Sequence, residues 1–144
     1  MNIVEYLDTH EKLVYTNKGC SMMPLIKQGR DMVIIRKKGE ERLKKYDVAL
    51  YVKGPNHYIL HRVIKVNKDD YTIRGDNNYF TEYGIKDSDI VGVLIGFIRK
   101  GREHSVDEFG YKVYSRVWRY IYPLRYVWRR RPSFMKRIKF MKNA

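Results

Sequence analysis

One serine lies in a setting that suits nucleophilic chemistry. Residues 19–24 read Gly-Cys-Ser-Met-Met-Pro, so Ser21 stands between a glycine and a proline. A serine hydroxyl attacks a carbonyl near neutral pH only when a nearby base removes its proton. Gly19 would let a substrate backbone approach closely, and backbone N–H groups around Ser21 would supply an oxyanion hole. Most serines in such surroundings are ordinary loop residues, so this interpretation requires a base elsewhere in the chain.

The strongest candidate for that base is His61, which lies in the apolar run 58–66. Strand alternation puts His61 on one face of this run, with Leu60, Arg62 and Ile64 on the other. An imidazole has an ordinary pKa near 6.5, which suits a general base at neutral pH. A structural, hydrogen-bonded histidine is the competing interpretation of the same pattern.

Two acidic residues are candidates to orient that histidine. Residues 74–78 read Arg-Gly-Asp-Asn-Asn, and Glu82 follows four residues later. This polar sequence is strongly turn-forming, which is its plainest interpretation. The functional interpretation is that Asp76 or Glu82 holds His61 as the acid of a Ser-His-acid set does. Cys20 is the single cysteine, which excludes an internal disulfide and a cysteine-based metal cluster, and no cofactor or metal is expected for this chemistry.

Short β-branched runs predict a compact, mostly antiparallel β domain of five or six strands. A short helix is expected within residues 1–13, and residues 54–56 and 67–70 read as turns. Gly92 and Gly96 are expected at bulges or close approaches. The predicted strands are at 32–35, 47–52, 58–66, 71–74 and 89–98.

The charge divides the chain into two parts. Residues 1–108 carry nineteen basic and sixteen acidic residues, whereas residues 109–144 carry eleven basic and no acidic residues. We therefore divide the chain into a β domain, 1–100, and a basic, aromatic-rich helical tail, 101–144. Apolar residues recur at helical spacing in the tail, and Pro123 and Pro132 are expected to kink or break it.

The tail admits four interpretations. A basic helix with interleaved aromatic residues suits peripheral contact with an anionic membrane through residues 110–142. It also suits an acidic partner or precursor peptide and, less well, nucleic acid. In the fourth interpretation the apolar side chains pack on the β domain and leave a solvated basic face. These side chains are Val113, Val117, Ile121 and Leu124.

Ordered motifs across residues 14–100 resemble the signal peptidase I family of serine peptidases. The match is best with the archaeal and endoplasmic-reticulum branch, in which histidine replaces the lysine base. Glu82 stands where that family usually has aspartate, and Arg30 interrupts its usual Gly-Asp pair. The motifs are Gly-x-Ser-Met-x-Pro at 19–24, Tyr-Asp-Val-Ala at 46–49, His-Arg-Val-Ile at 61–64, Gly-Asp-Asn-Asn at 75–78 and Asp-Ile-Val-Gly at 89–92.

The resemblance implies a β peptidase domain of the signal peptidase/LexA type that cleaves leader or signal-type peptides. Its catalytic set would be Ser21, His61, Asp76 and Glu82, while Gly19, Met22 and Pro24 would lie at the oxyanion and substrate positions.

The chain has no apolar run long enough for a membrane anchor and no secretory signal at its N-terminus, so a cytoplasmic protein is expected. A peptide or precursor protein would be its substrate. The alternatives are a self-cleaving LexA-like regulator and a non-catalytic binding domain.

Overall fold

A computed structural model describes residues 2–129, apart from the side chains of Tyr126, Trp128 and Arg129. Within these residues there are two α-helices, eight β-strands and one short 3₁₀ turn, Asp87–Asp89. In chain order they are α1 (Ile3–Thr9), β1 (Lys12–Tyr15), β2 (Asp31–Lys37), β3 (Val48–Val52), β4 (Tyr58–Val66), β5 (Tyr71–Arg74), β6 (Glu82–Ile85), β7 (Ile90–Arg99), β8 (Arg102–Ser105) and α2 (Phe109–Arg129).

The strands form one antiparallel sheet in the order β1-β2-β7-β3-β4-β5-β6, with β8 paired to β7. The prediction of a mostly antiparallel β structure with a short N-terminal helix and a C-terminal helix is therefore confirmed. The tight turns at 54–56 and 67–70 join β3 to β4 and β4 to β5 as antiparallel neighbours. The eight strands exceed the five or six that were predicted, and β1, β6 and β8, each four residues long, lie outside the predicted ranges.

The long strand β7 carries most of the sheet's non-local pairing. It pairs with β2 through Gly92–Arg99, with β3 through Ile90–Val93 and with β8 through Gly96–Arg99. A register shift opposite Ile34 and Ile35 leaves one extra residue on β7, which is the bulge expected near Gly96. Because β8 lies beyond residue 100, the sheet continues into the region assigned to the tail.

Two apolar clusters line opposite faces of this bent sheet. The first contains Leu50 and Leu60 from the sheet, Leu7 from α1 and Met22 from the segment between β1 and β2. The second contains Ala49, Tyr51 and Val63 from the alternate positions of β3 and β4, together with residues of β5 and β7. Strand alternation thus gives each face its own core, and His61 shares the side of β4 that carries Val63.

The helix α2 is continuous from Phe109 to Arg129, with Pro123 inside it, so the expected break at Pro123 is absent. Pro132 lies outside the described residues. Val113, Val117 and Leu124 are exposed and Ile121 is half-buried, so the interpretation in which these side chains pack on the β domain is wrong for three of the four. The residues that face the sheet are instead Tyr111, Tyr114, Ser115 and Trp118.

In the part of the chain that the structure describes, neither helix combines the length and the apolar character needed to cross a bilayer.

Candidate active site

Ser21 lies in the segment between β1 and β2, which is anchored on both sides. Met22 is fully buried in the first apolar cluster, and so are Leu25 and Ile26 beyond it. The Gly19 N–H donates to Gln28 Oε1 at 2.9 Å, which closes the segment as a loop. Buried apolar contacts on one side of Ser21 and a hydrogen bond on the other therefore fix its backbone.

The hydroxyl of Ser21 is left available by this anchoring. Ser21 is half-buried, and its Oγ has no hydrogen-bond partner among residues 2–129. Its backbone N–H also donates to no acceptor within the described chain. A free hydroxyl beside a free N–H is the pairing that acyl transfer requires, since one attacks the carbonyl and the other stabilises the resulting oxyanion.

The loop between β5 and β6 closes against Ser21. The Asn77 N–H donates to the Ser21 carbonyl at 2.8 Å, and Asn77 Nδ2 donates to the Cys20 carbonyl at 3.1 Å. A Cβ on Gly75 would lie 2.7 Å from the Ser21 carbonyl oxygen and 3.0 Å from His61 Cδ2. Only a glycine fits between them, so Ser21, Gly75 and His61 converge at one place.

His61 is buried and bonded at both ring nitrogens. Its Nδ1 lies 3.1 Å from the hydroxyl of Tyr51, which in turn donates to Glu82 Oε2 at 3.0 Å. Its Nε2 lies 3.3 Å from Asn78 Nδ2. No hydrogen bond joins His61 to Ser21 within the described residues. The imidazole is therefore connected to Glu82 through Tyr51.

These partners determine the tautomer of His61. The Glu82 carboxylate can only accept, so the Tyr51 hydroxyl donates its proton there and must accept from His61 Nδ1–H. Asn78 Nδ2 can only donate, so Nε2 carries the lone pair. A neutral imidazole with a proton on Nδ1 and a lone pair on Nε2 is the form that acts as a general base.

The electrostatics of the site favour the same neutral form. Burial lowers the pKa of His61 below its ordinary value, and it outweighs the opposite effect of the Glu82 and Asp76 carboxylates. Burial, together with Glu82, raises the pKa of Tyr51, so the phenol stays protonated. Glu82 also lies 3.6 Å from the exposed Lys53 ammonium. His61 is consequently unprotonated near neutral pH.

Asp76 has different partners from Glu82. Arg62 donates to both of its carboxylate oxygens, from Nε at 2.8 Å and from Nη2 at 3.0 Å. The Tyr114 hydroxyl donates to Oδ2 at 2.8 Å. Both members of the Arg62–Asp76 pair are 3% exposed at their side chains, which makes this a buried ion pair. Asp76 therefore serves as an anchor for its loop and makes no hydrogen bond to His61.

The helix α2 holds the same loop from outside. Trp118 Nε1 and Arg125 Nη1 both donate to the Asp76 carbonyl, at 2.8 and 2.9 Å. Arg125 Nη2 also donates to Asn77 Oδ1 at 3.1 Å. The guanidinium of Arg125 stacks on the Trp118 ring, 4.2 Å from its centre. The helix thus fixes the loop that contacts both Ser21 and His61.

The predicted site residues fall into three groups. Ser21 and His61 both lie against Gly75, and Glu82 is connected to His61 through Tyr51. Asp76 lies beside them, in a separate ion pair. Gly19 and Pro24 are exposed on the loop, whereas Met22 is wholly buried and contacts the core.

Sequence reasoning missed Tyr51 and Asn78. Ala49 pairs directly with His61 in the β3–β4 hairpin, so Tyr51, two residues along β3, lies diagonally opposite on the same face. The register of the predicted β3–β4 hairpin would therefore have placed Tyr51 beside His61. The contacts of Asn78 depend on the path of the loop and had no sequence signal.

Among residues 2–129, no three His, Cys, Asp or Glu side chains lie close enough to share a metal ion. No protein-family model matches the chain, and no curated protein is significantly similar to it.

Proposed function

We propose that this protein is a serine peptidase in which Ser21 is the nucleophile and His61 is the general base. The finer fold we propose is that of the signal peptidase/LexA type, and the substrate we propose is a leader or signal-type peptide. This proposal rests on the ordered motifs in the sequence together with the convergence of Ser21, Gly75 and His61. The self-cleaving regulator and the binding domain have no separate structural observation in their favour.

One observation carries the proposal: the hydrogen-bond chain from Glu82 through Tyr51 to His61 Nδ1. It leaves the Nε2 lone pair directed toward the loop that contacts Ser21. A structural histidine needs only a satisfied pair of ring nitrogens. A general base also needs this tautomer and a pKa low enough to be neutral, and both accompany His61, while Ser21 and His61 both lie against Gly75.

The reaction would proceed through an acyl-enzyme. Ser21 Oγ would take the place of Asn78 Nδ2 as the donor to Nε2, and would then attack the scissile carbonyl as its proton passes to His61. The Ser21 N–H would donate to the oxyanion. His61 would return the proton to the leaving amine, and a water activated by the same nitrogen would release the acyl group. Glu82, through Tyr51, would stabilise the transient imidazolium.

Incubation of the full chain with a mixture of defined peptides, followed by mass spectrometry of the products, tests this proposal. Cleavage is expected with the wild type and should be lost, by at least about a hundredfold, in Ser21→Ala and in His61→Ala. Ser88→Ala, which changes an exposed serine of the 3₁₀ turn, is the matched control and should cleave normally. Undiminished cleavage by Ser21→Ala would refute the proposal.

A further inference from the structure

The outer face of α2 carries an exposed apolar stripe. Its six side chains recur three or four residues apart, so they lie along one side of the helix. Their exposed fractions range from 42% at Val113 to 83% at Phe109, which is unusual for a row of large apolar side chains. We call this set the outer stripe: Phe109, Val113, Val117, Tyr120, Leu124 and Val127.

The inner face of the same helix is already occupied. Tyr114, Trp118 and Arg125 bond the loop around Asp76, and Ser115 is buried against the sheet. The helix therefore cannot turn to bury the outer stripe without breaking these bonds. An amphipathic helix usually packs its apolar side inward, so the outward direction of this stripe requires a partner outside the β domain.

The positive charge of α2 and the residues after it indicates which kind of partner the outer stripe binds. Residues 109–144 contain eleven basic and no acidic residues. Lys112 and Arg116 are exposed one position before Val113 and Val117, along the edge of the stripe. A second copy of the chain would bring like charges together, which opposes self-association through this face. An anionic surface would instead attract every charged residue of the segment.

We propose that the outer stripe of α2 binds the surface of an anionic lipid bilayer, with the helix lying parallel to the membrane. The apolar side chains enter the boundary between headgroups and acyl chains, and the flanking lysine and arginine side chains meet the lipid phosphates. Tyr120 is suited to this boundary because it has an apolar ring and a polar hydroxyl. The inference does not depend on Ser21 or on peptide cleavage.

Flotation of the full chain with lipid vesicles tests the inference. Vesicles of phosphatidylcholine alone are compared with vesicles that also contain phosphatidylglycerol, at low and at high salt. The wild type should bind the anionic vesicles at low salt and bind the neutral vesicles much less. Its binding to the anionic vesicles should weaken as the salt concentration rises. The Ser21→Ala variant should bind as the wild type does, which separates this result from the peptidase proposal.

A charge-matched pair of variants tests the stripe itself. Val117→Glu/Leu124→Glu should weaken vesicle binding at least about tenfold, because two apolar contacts with the bilayer are lost. Val14→Glu/Val66→Glu makes the same change in net charge at two exposed valines of β1 and β4, and should bind nearly as the wild type does. All four positions are exposed, and circular dichroism would confirm that both variants are folded.

Three results would overturn the inference. The first is equal binding by the two double variants, which would mean that net charge alone attracts the chain to the vesicles. The second is the absence of vesicle binding by the wild type, which would leave an acidic protein or a nucleic acid as the partner of this face. The third is a lipid-free dimer that Val117→Glu/Leu124→Glu dissociates, which would assign the stripe to a second copy.

Discussion

Two adjacent residues of β4, His61 and Arg62, face opposite sides of the sheet and are paired with carboxylates in opposite ways. Arg62 bonds both oxygens of Asp76 directly, in a pair that is almost completely buried. His61 reaches Glu82 only through the hydroxyl of Tyr51. One face of β4 thus carries a buried ion pair in which both carboxylate oxygens are bonded. The other face carries a series of hydrogen bonds that ends at the unprotonated Nε2 of His61.

The difference explains why two acids near one histidine have separate roles. The Asp76 carboxylate accepts hydrogen bonds from Arg62 and Tyr114, and the Asp76 carbonyl accepts one from Trp118 of α2. These bonds all hold the loop in place. In this arrangement Asp76 is a positioning residue. Glu82 is half-buried and bonds a neutral phenol, so it influences His61 without neutralising it. We therefore assign stability chiefly to the Arg62 face and reactivity chiefly to the His61 face.

The largest expected effect is on stability, from Arg62→Met. Among the described residues, removing the guanidinium leaves a buried carboxylate with Tyr114 as its one remaining side-chain partner, and such a loss typically costs about 3–5 kcal/mol. Urea unfolding followed by tryptophan fluorescence measures it. Arg99→Met is a matched control, because the buried Asp31 keeps its ion pair with Arg30. A smaller loss in Arg62→Met than in Arg99→Met would contradict the role given to the Asp76 pair.

The next effect is on reactivity, from Tyr51→Phe. Phenylalanine preserves the buried ring but can neither accept from His61 Nδ1–H nor donate to Glu82. We expect Ser21 to react about tenfold to a hundredfold more slowly with an alkyl fluorophosphonate, because the imidazole loses its orientation. The free energy of unfolding should fall by about 1–2 kcal/mol.

Tyr71→Phe is the control for that variant. Tyr71 is equally buried, and its hydroxyl donates to Asp87 and accepts from the Leu43 N–H. Its loss should lower stability by a similar amount while leaving the labelling rate of Ser21 unchanged. Equal slowing in both variants would mean that Tyr51 acts only through the stability of the second core cluster.

The smallest effect is on the pH dependence, from Glu82→Gln. The Glu82 carboxylate raises the pKa of His61 against the lowering by burial, so its removal lowers that pKa further. The acid limb of the labelling rate should therefore move to lower pH. A limb that does not move, or that moves upward, would contradict the link from Glu82 to His61.

The same direction of the His61 pKa affects stability. The folded state keeps His61 neutral, whereas the unfolded chain binds a proton at this residue below about pH 6.5. As the pH falls below that value, the unfolded chain gains a proton that the folded state does not bind, so the free energy of unfolding decreases. His61→Ala should reduce this part of the acid destabilisation.

Local patterns in the sequence predicted much of the sheet. Strands β4 and β5 have the bounds that alternation and turn residues predicted, 58–66 and 71–74. Strands β1, β6 and β8 were not predicted, because each holds at most one β-branched residue and forms no long apolar run. The rotation of α2 was left open by the sequence. Periodicity allowed Val113 and Val117 to pack inward as one of four interpretations, but the bonds of Tyr114 and Trp118 to the Asp76 loop turn them outward.

The site was less predictable than the sheet. Ser21, His61 and Glu82 could be selected because nucleophile, base and acid have recognisable residue types. The sequence could not show which of the two acids, Asp76 or Glu82, is connected to His61. Both are carboxylates that follow β5, and they differ in the side chains that bond them. The structure separates the two acids because Arg62 forms an ion pair with Asp76. Arg62 lies on the face of β4 opposite to His61, so this pairing could not be read from the sequence around His61.

The most direct measurement of the central claim is intact-mass spectrometry of the full chain after treatment with an alkyl fluorophosphonate. We predict a single adduct, on Ser21, formed as Oγ bonds to phosphorus and fluoride leaves. It should be absent in Ser21→Ala and at least about a hundredfold slower in His61→Ala, and its rate should fall as the pH drops through the pKa of His61, which burial lowers. No adduct on Ser21, or one that forms equally fast without His61, would contradict the account.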